Sequence, residues 1–209
     1  MKNFETEFKW DASAPFSFAR MLGAVRKTAD KKNISTPTYL KIKDIYLDSP
    51  DGKLQREKIA LRVRNTQGKC ELTYKTRTEV VNGKAVRREE TLPLVGIKKL
   101  TEALVFLNEK KGWQGICLNN LSVLFTIHNR RVVRLISQGT NEFELSFDTC
   151  EIHAGKKRVK LKEIELELKK GSAIEMEKFA AQIMKVSGLP FSKKSKVKTA
   201  TALLAGGDK

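Results

Sequence analysis

The chain has 209 residues, 40% of them hydrophobic, with 41 Lys and Arg against 24 Asp and Glu, for a formal charge of +17; this suits one domain over residues 1–204 with a frayed tail at 205–209, and it favours polyanions, whether nucleic acid, anionic membrane or phosphate-rich small molecules. Three isolated cysteines, Cys70, Cys117 and Cys150, exclude a disulfide framework and a thiolate zinc site, and they read as buried thiols in a reducing compartment. Acids and Trp10 stand where a secretory signal needs an apolar core, and no apolar run reaches spanning length, so a cytoplasmic protein with no membrane partner is expected.

Alternation of apolar and charged residues predicts a strand over 4–10, with Phe4, Phe8 and Trp10 on one face and Glu5, Glu7 and Lys9 on the other. Ala14-Pro15 opens a helix over 17–27, and Ser49-Pro50-Asp51-Gly52 marks a turn. A strand over 60–64 sets Arg62 and Arg64 against Leu61 and Val63, and one over 70–75 sets Glu71, Thr73 and Lys75 against Leu72 and Tyr74; Gln67-Gly68 turns between them. Beyond Asn82-Gly83, a strand over 86–92 carries Arg87 and Glu89 opposite the parity of Val86, Leu92 and Leu94. A helix is expected over 97–110, and Arg130, Arg131 and Arg134 crowd the region that follows. After Gln138-Gly139-Thr140, a strand over 143–148 sets Glu144, Ser146 and Asp148 against Phe143, Leu145 and Phe147. Past Ala154-Gly155, a strand over 163–168 sets Glu163, Glu165 and Glu167 against Ile164, Leu166 and Leu168, and helices are expected over 173–186 and 195–204.

Three carboxylates along one strand face repel one another unless cations stand opposite. Acids concentrate in the first and last strands and bases in Arg62, Arg64 and Lys75. An α+β fold satisfies both sets: a closed antiparallel β-barrel with charges turned inward and helices packed on its apolar outside. A lumen so lined suits a chain of phosphates and a divalent cation. The competing reading, solvated strand faces on a half-exposed sheet, holds for any single strand better than for five with segregated signs.

The residues also carry a resemblance. Glu5-Thr6-Glu7-Phe8-Lys9 resembles the ExExK signature that opens CYTH domains, the triphosphate tunnel metalloenzymes. In order along the chain, Tyr46-Leu47-Asp48-Ser49-Pro50 resembles the family's Y-x-D-T/S-P turn, residues 60–64 its LRxR strand and residues 71–75 its L-T-x-K strand. Arg87 and Glu89 resemble its RxE strand, residues 163–167 its ExExE strand, and Ser195-Lys196 its Ser-Lys pair. ExExK alone is a weak pattern; the ordered set is specific.

The resemblance implies that the barrel has eight strands around a triphosphate tunnel, and it implies a metal-dependent hydrolase of a triphosphate, most simply inorganic tripolyphosphate cleaved to pyrophosphate and phosphate. It implies Mg²⁺ or Mn²⁺ on Glu5, Glu7, Glu165 and Glu167, and phosphate contacts from Lys9, Arg62, Arg64, Lys75, Arg87, Arg130 or Arg131, and Lys196. Glu163, Glu165 or Asp148 would orient water, with Glu89 and Glu144 as further tunnel acids. Hard oxygen ligands and guanidinium forks are the groups that this chemistry needs. Thiamine triphosphatase, a class IV adenylate cyclase, and a non-catalytic binder of polyphosphate or RNA 5′-triphosphate are the alternatives. A monomer or homodimer acting without the helical partner domain of some relatives is expected, and nucleic acid is not an expected partner. His128 and His153 read as structural, Trp10 and Trp113 as core or rim, and Lys156-Lys157-Arg158 and Lys193-Lys194 as solvated loops.

Overall fold

The computed structural model describes residues 4–192 and 195–206. In chain order the elements are β1 (Phe4–Asp11), α1 (Ser17–Thr28), β2 (Thr38–Asp48), the one-turn α2 (Lys53–Arg56), β3 (Ala60–Thr66), β4 (Lys69–Lys75), β5 (Glu79–Val81) and β6 (Lys84–Leu94). There follow α3 (Leu100–Glu109), the short β7 (Gly112–Trp113) and β8 (Ile116–Cys117), the long β9 (Ser122–Gln138), β10 (Asn141–Ala154) and β11 (Lys157–Lys170), then α4 (Ala173–Ser187) and α5 (Lys196–Ala205). α5 ends at Ala205, where the expected tail begins; residues 207–209 of that tail lie outside the described residues, as do Lys193 and Lys194.

Neighbouring strands run β1-β11-β10-β9-β2-β3-β4-β6, and β6 pairs back onto β1. That pairing closes eight antiparallel strands into a barrel, with β5 added as a hairpin on β6. Asn82-Gly83 makes that hairpin turn with both residues at positive φ, and a side chain at position 83 would collide with the Phe191 ring.

Two of the three apolar clusters lie on outward faces. Phe8, Trp10, Phe143, Leu145, Phe147, Ile164 and Leu166 pack against Met21 and Val25 of α1 and Met176, Phe179 and Ile183 of α4. On another side, Ile45, Leu47, Leu61, Val63, Leu72 and Leu94 pack against Ala103 and Leu107 of α3. Each fully buried Leu, Ile or Phe contributes about 1.5–3 kcal/mol, so these two layers hold the barrel while its interior remains available for charge.

A third cluster uses the inward parity. Phe125, Ile127, Cys150, Ile152 and Ala154 receive Ala200 of α5, with Val197, Leu203 and Leu204 alongside. α5 thus caps an apolar stretch of the same strand faces that carry charge elsewhere. Ser195 caps this helix by accepting from the backbone N–H of Lys198 at 3.1 Å, which fixes Lys196 in its first turn.

Asp48 is a local device of the same kind. Its carboxylate, almost fully buried, accepts from the backbone N–H groups of Ser49, Leu54 and Gln55 at 2.8, 2.8 and 3.1 Å, and so folds the chain into α2. Of the three cysteines expected to be buried, Cys70 and Cys150 are; Cys117 is exposed, because the β7–β8 hairpin stands outside the barrel wall. Among the described residues, no helix is long and apolar enough to cross a membrane.

Candidate active site

The inward faces bring acids and bases from all eight barrel strands together. In β1, Glu5 meets Arg87 and lies 3.3 Å from Lys75, which also meets Glu89 at 2.6 Å. Glu7 lies 3.0 Å from the Arg87 guanidinium and 3.3 Å from Lys9. Lys9 turns to Glu165 at 2.6 Å and approaches Glu163 at 4.0 Å.

Deeper in, the Lys196 ammonium touches Asp148, Glu163 and Glu165 at 2.7, 2.5 and 2.9 Å. Arg131 donates to both oxygens of Asp148 at 2.7 Å and to Glu165 at 2.5 Å, with Glu144 at 3.8 Å. On the opposite wall, Arg64 grips both oxygens of Asp44. Lys169 stands 2.9 Å from Glu167 and 3.8 Å from Glu144.

The sequence-named residues Lys9, Arg62, Arg64, Lys75, Arg87, Arg131, Lys196, Glu5, Glu7, Glu89, Glu144, Asp148, Glu163, Glu165 and Glu167 share this interior parity. Arg130 is a correction. Strand alternation turns it to the opposite face of β9 from Arg131, where it is exposed, so it does not line the barrel. Arg134 reaches out to the Ser35 carbonyl at 2.7 Å. Sequence reasoning missed Asp44 and Asn129, both buried at inward positions. His128 and His153 stack on each other outside the barrel, their ring centroids 5.0 Å apart.

Electrostatics divides the acids into two groups. Burial opposes ionisation of Asp148, yet Lys196 and Arg131 outweigh it and draw its pKa down to about 2. Glu165, likewise buried, is held well below its ordinary value by Lys196, Lys9 and Arg131. These acids have the cations they need. Glu7 is the reverse: burial, then the Glu5 and Glu165 carboxylates, push it up despite Lys9 and Arg87. Glu167 is also raised, by burial and by Glu5 and Glu144, with Lys169 opposing.

That division bears on where a metal fits. Among the described residues, Asp148, Glu163 and Glu165 form the one carboxylate trio whose ligand atoms lie within 4.8 Å of one another. The trio already holds the Lys196 ammonium, so its negative charge is answered. Glu7 and Glu167 sit on facing register positions of β1 and β11, and their cations, Arg87 and Lys9 for the first and Lys169 for the second, do not outweigh burial and the neighbouring acids. The buried Oε1 of Glu7 has no well-aligned hydrogen bond, although Arg87 is near. Two underneutralised carboxylates with hard oxygen donors suit a divalent cation.

One base is underused. Arg62 is 6% exposed, donates to Thr73 at 3.2 Å, and reaches Asp44 only through a 3.9 Å contact of its Nε, which makes no hydrogen bond. A buried guanidinium with so little compensation is costly in the free protein and suited to an anion.

A closed barrel with helix-covered apolar residues outside and paired acids and bases inside, plugged at one end by a helix, is a tunnel-type fold whose interior is built for charge and not for an apolar ligand. The CYTH domain model matches residues 3–200, and the chain belongs to the CYTH domain family. It is 31% identical over 153 residues to the inorganic triphosphatase of Haemophilus influenzae, a match that takes in 73% of this chain but 43% of that relative's length. The fold is similar to that of the Hippeastrum protein HpAC1, an adenylyl cyclase by name with a dominant triphosphatase activity, at a TM-score of 0.66 and 18% identity over 95% of each chain. It is also similar to the Mimivirus capping enzyme triphosphatase, at a TM-score of 0.55 and 14% identity over 90% of this chain and 91% of that one.

Proposed function

We propose that this chain hydrolyses a triphosphate inside the barrel, with inorganic tripolyphosphate as substrate and Mg²⁺ or Mn²⁺ as cofactor. The observation that carries the reading is Arg62, a buried guanidinium in a tunnel of cations with almost no carboxylate of its own. Phosphate oxygens would complete it, and Arg64, Arg87, Lys75, Lys9, Arg131 and Lys196 surround the same space. Phosphoryl transfer is catalysed mainly by charge neutralisation and alignment, which such a lining provides.

Glu5, Glu7 and Glu167 would hold the cation, which when bound neutralises charge on the phosphate oxygens. Asp148, Glu163 and Glu165 lie farther along the β10–β11 part of the same wall. Asp148 and Glu165, kept ionised by Lys196 and Arg131, can accept a hydrogen bond from the attacking water and orient it. Glu165 binds three cations at once, so its second task is to position Lys9, Arg131 and Lys196. The identity to the Haemophilus influenzae inorganic triphosphatase supports this substrate, and the three free cysteines support a reducing, cytoplasmic setting. Residues 1–204 would act as one domain, as a monomer or homodimer.

The test is phosphate release from tripolyphosphate, ATP and thiamine triphosphate with Mg²⁺ or Mn²⁺ and with chelator. Tripolyphosphate should turn over fastest, and only with metal. Faster turnover of either organic substrate, or cyclic AMP among the products, would replace the substrate assignment; binding without turnover would replace the enzyme.

A further inference from the structure

Outside the tunnel, the barrel wall carries a second charged surface that the proposed hydrolysis does not use. Four adjacent strands, β2, β9, β10 and β11, present their outward parity here, and the register aligns it into rows. One row crosses Lys41, Arg130, Thr149 and Lys162; the next crosses Lys43, His128, Glu151 and Lys160; a third carries Thr126, His153 and Arg158. Strands stand roughly 4.8 Å apart and same-face residues recur at roughly 6.7 Å, so six Lys and Arg side chains occupy a patch about 14 Å on each side.

These are open side chains. Lys41, Lys43, Arg130, Arg158, Lys160 and Lys162 are all exposed. Glu151 is the acid in the rows, and its carboxylate goes to His153 at 3.1 Å. Among the described residues, none of the six cations has a carboxylate within 4.0 Å. Lys41 and Arg130 stand directly opposite each other across the β2–β9 ladder, a like-charge pair that weakens a sheet. The helices that cover the rest of the barrel leave this area bare.

We propose that this face docks the phosphate backbone of a duplex nucleic acid, without reading its sequence. A grid of lysines and arginines on the outer barrel wall supplies the phosphate contacts that dominate such binding. The patch has no large apolar side chain to insert into a bilayer, and the exposed aromatic nearest to it, Tyr39, lies at its margin, so the stacking platforms that hold single strands are missing. This reverses the expectation from sequence, where Arg158 counted only as part of a solvated loop. The strand register, invisible in the loop's composition, places Arg158 on the same outer face as Lys41, 117 positions earlier in the chain.

The experiment measures binding of a labelled mixed-sequence duplex of about 20 base pairs by fluorescence anisotropy across a salt series, beside a single strand of equal length and phosphatidylserine vesicles. The protein carries either K41E/K160E/K162E on the face or K27E/K31E/K111E elsewhere, two sets with equal change in net charge. The face set should weaken duplex binding at least about tenfold and flatten the log–log salt slope by about 2.7, three phosphate contacts at about 0.9 each; the other set should change affinity less than about threefold. Tripolyphosphate turnover equal to wild type verifies the fold, and K41Q/K160Q/K162Q, expected to lose affinity to an intermediate degree, serves if the reversed set misfolds. Equal loss from both sets would reduce the binding to net charge and overturn the proposal. So would a single strand or vesicles binding through this face more tightly than the duplex.

Discussion

Arg64 on β3 holds both carboxylate oxygens of Asp44 on β2, Nε at 2.7 Å and Nη2 at 2.9 Å, and the two residues are register partners in adjoining strands. The fork fixes the guanidinium against the tunnel wall, so under the proposed function Asp44 would position Arg64 for the phosphates. Asp44→Asn keeps the volume but strands a mostly buried charge. Loss of one partner from such a pair costs about 3 kcal/mol, which lowers Tm by roughly 6–12 °C in a domain of this size. Thermal unfolding checks it; an unchanged Tm would show the pair to be dispensable.

Arg62 makes the opposite trade. It lacks a close carboxylate, so Arg62→Met should leave the free protein as stable as wild type or more so. Tripolyphosphate kcat/KM should nonetheless fall by about 10²–10³, the usual consequence of removing one charge-stabilising donor. Urea midpoints and steady-state kinetics on one preparation test both halves, and full activity in the variant would remove Arg62 from the phosphate site.

Glu7 offers a test of the metal assignment. Its folded pKa is raised by burial and by Glu5 and Glu165, so its contribution to stability is present when the carboxyl is protonated and is lost as pH rises through that raised value. At neutral pH the charge therefore strains the metal-free protein. Glu7→Gln should raise Tm in chelator by a few degrees, about 2–4 °C per kcal/mol, while abolishing both turnover and the stabilisation by Mg²⁺. A lower Tm in chelator would contradict the electrostatic reading.

Asp148 behaves with the other sign. Burial works against its charge, but Lys196 and Arg131 bring the folded pKa from 3.8 to about 2, so the carboxylate adds stability above the unfolded value that disappears as pH falls through the folded one. The shift corresponds to about 2 kcal/mol, lost between about pH 4 and pH 2. Asp148→Asn should be less stable at neutral pH and show a shallower decline across that window in urea titrations; an identical acid profile would count against it.

The strands of the tunnel wall were legible where one face is apolar and the other charged, as in β1, β3, β10 and β11. Arg87 and Arg88 illustrate how far alternation reaches, since Arg87 meets Glu5 and Glu7 while Arg88 meets Glu90. β2 and much of β9 were not legible as faces. Lys41 and Lys43 point outward while Ile42 and Tyr46 point inward, Tyr46 into the apolar cluster that receives α5, so the usual polarity of the barrel is inverted along part of each strand. Asp44 hides within that inversion. Arg130 and Arg131 are adjacent and equally basic, and only the ladder distinguishes them. The acid pairing of Lys196 depends on a helix docked from more than 30 residues away, which no local pattern records.

β1 is locked into place from both of its sides, with Phe8 and Trp10 in the helix-covered layer and Glu7 and Lys9 in the ion network. Because successive residues belong to incompatible media, sliding the segment by a single position would drive two aromatic rings among carboxylates and two charges into hydrocarbon. Such a strand tolerates many exchanges of one residue for another of similar character, yet a lone codon lost or gained near Thr6 has no neighbouring arrangement to fall into. The length of this stave is thus held more rigidly than its spelling.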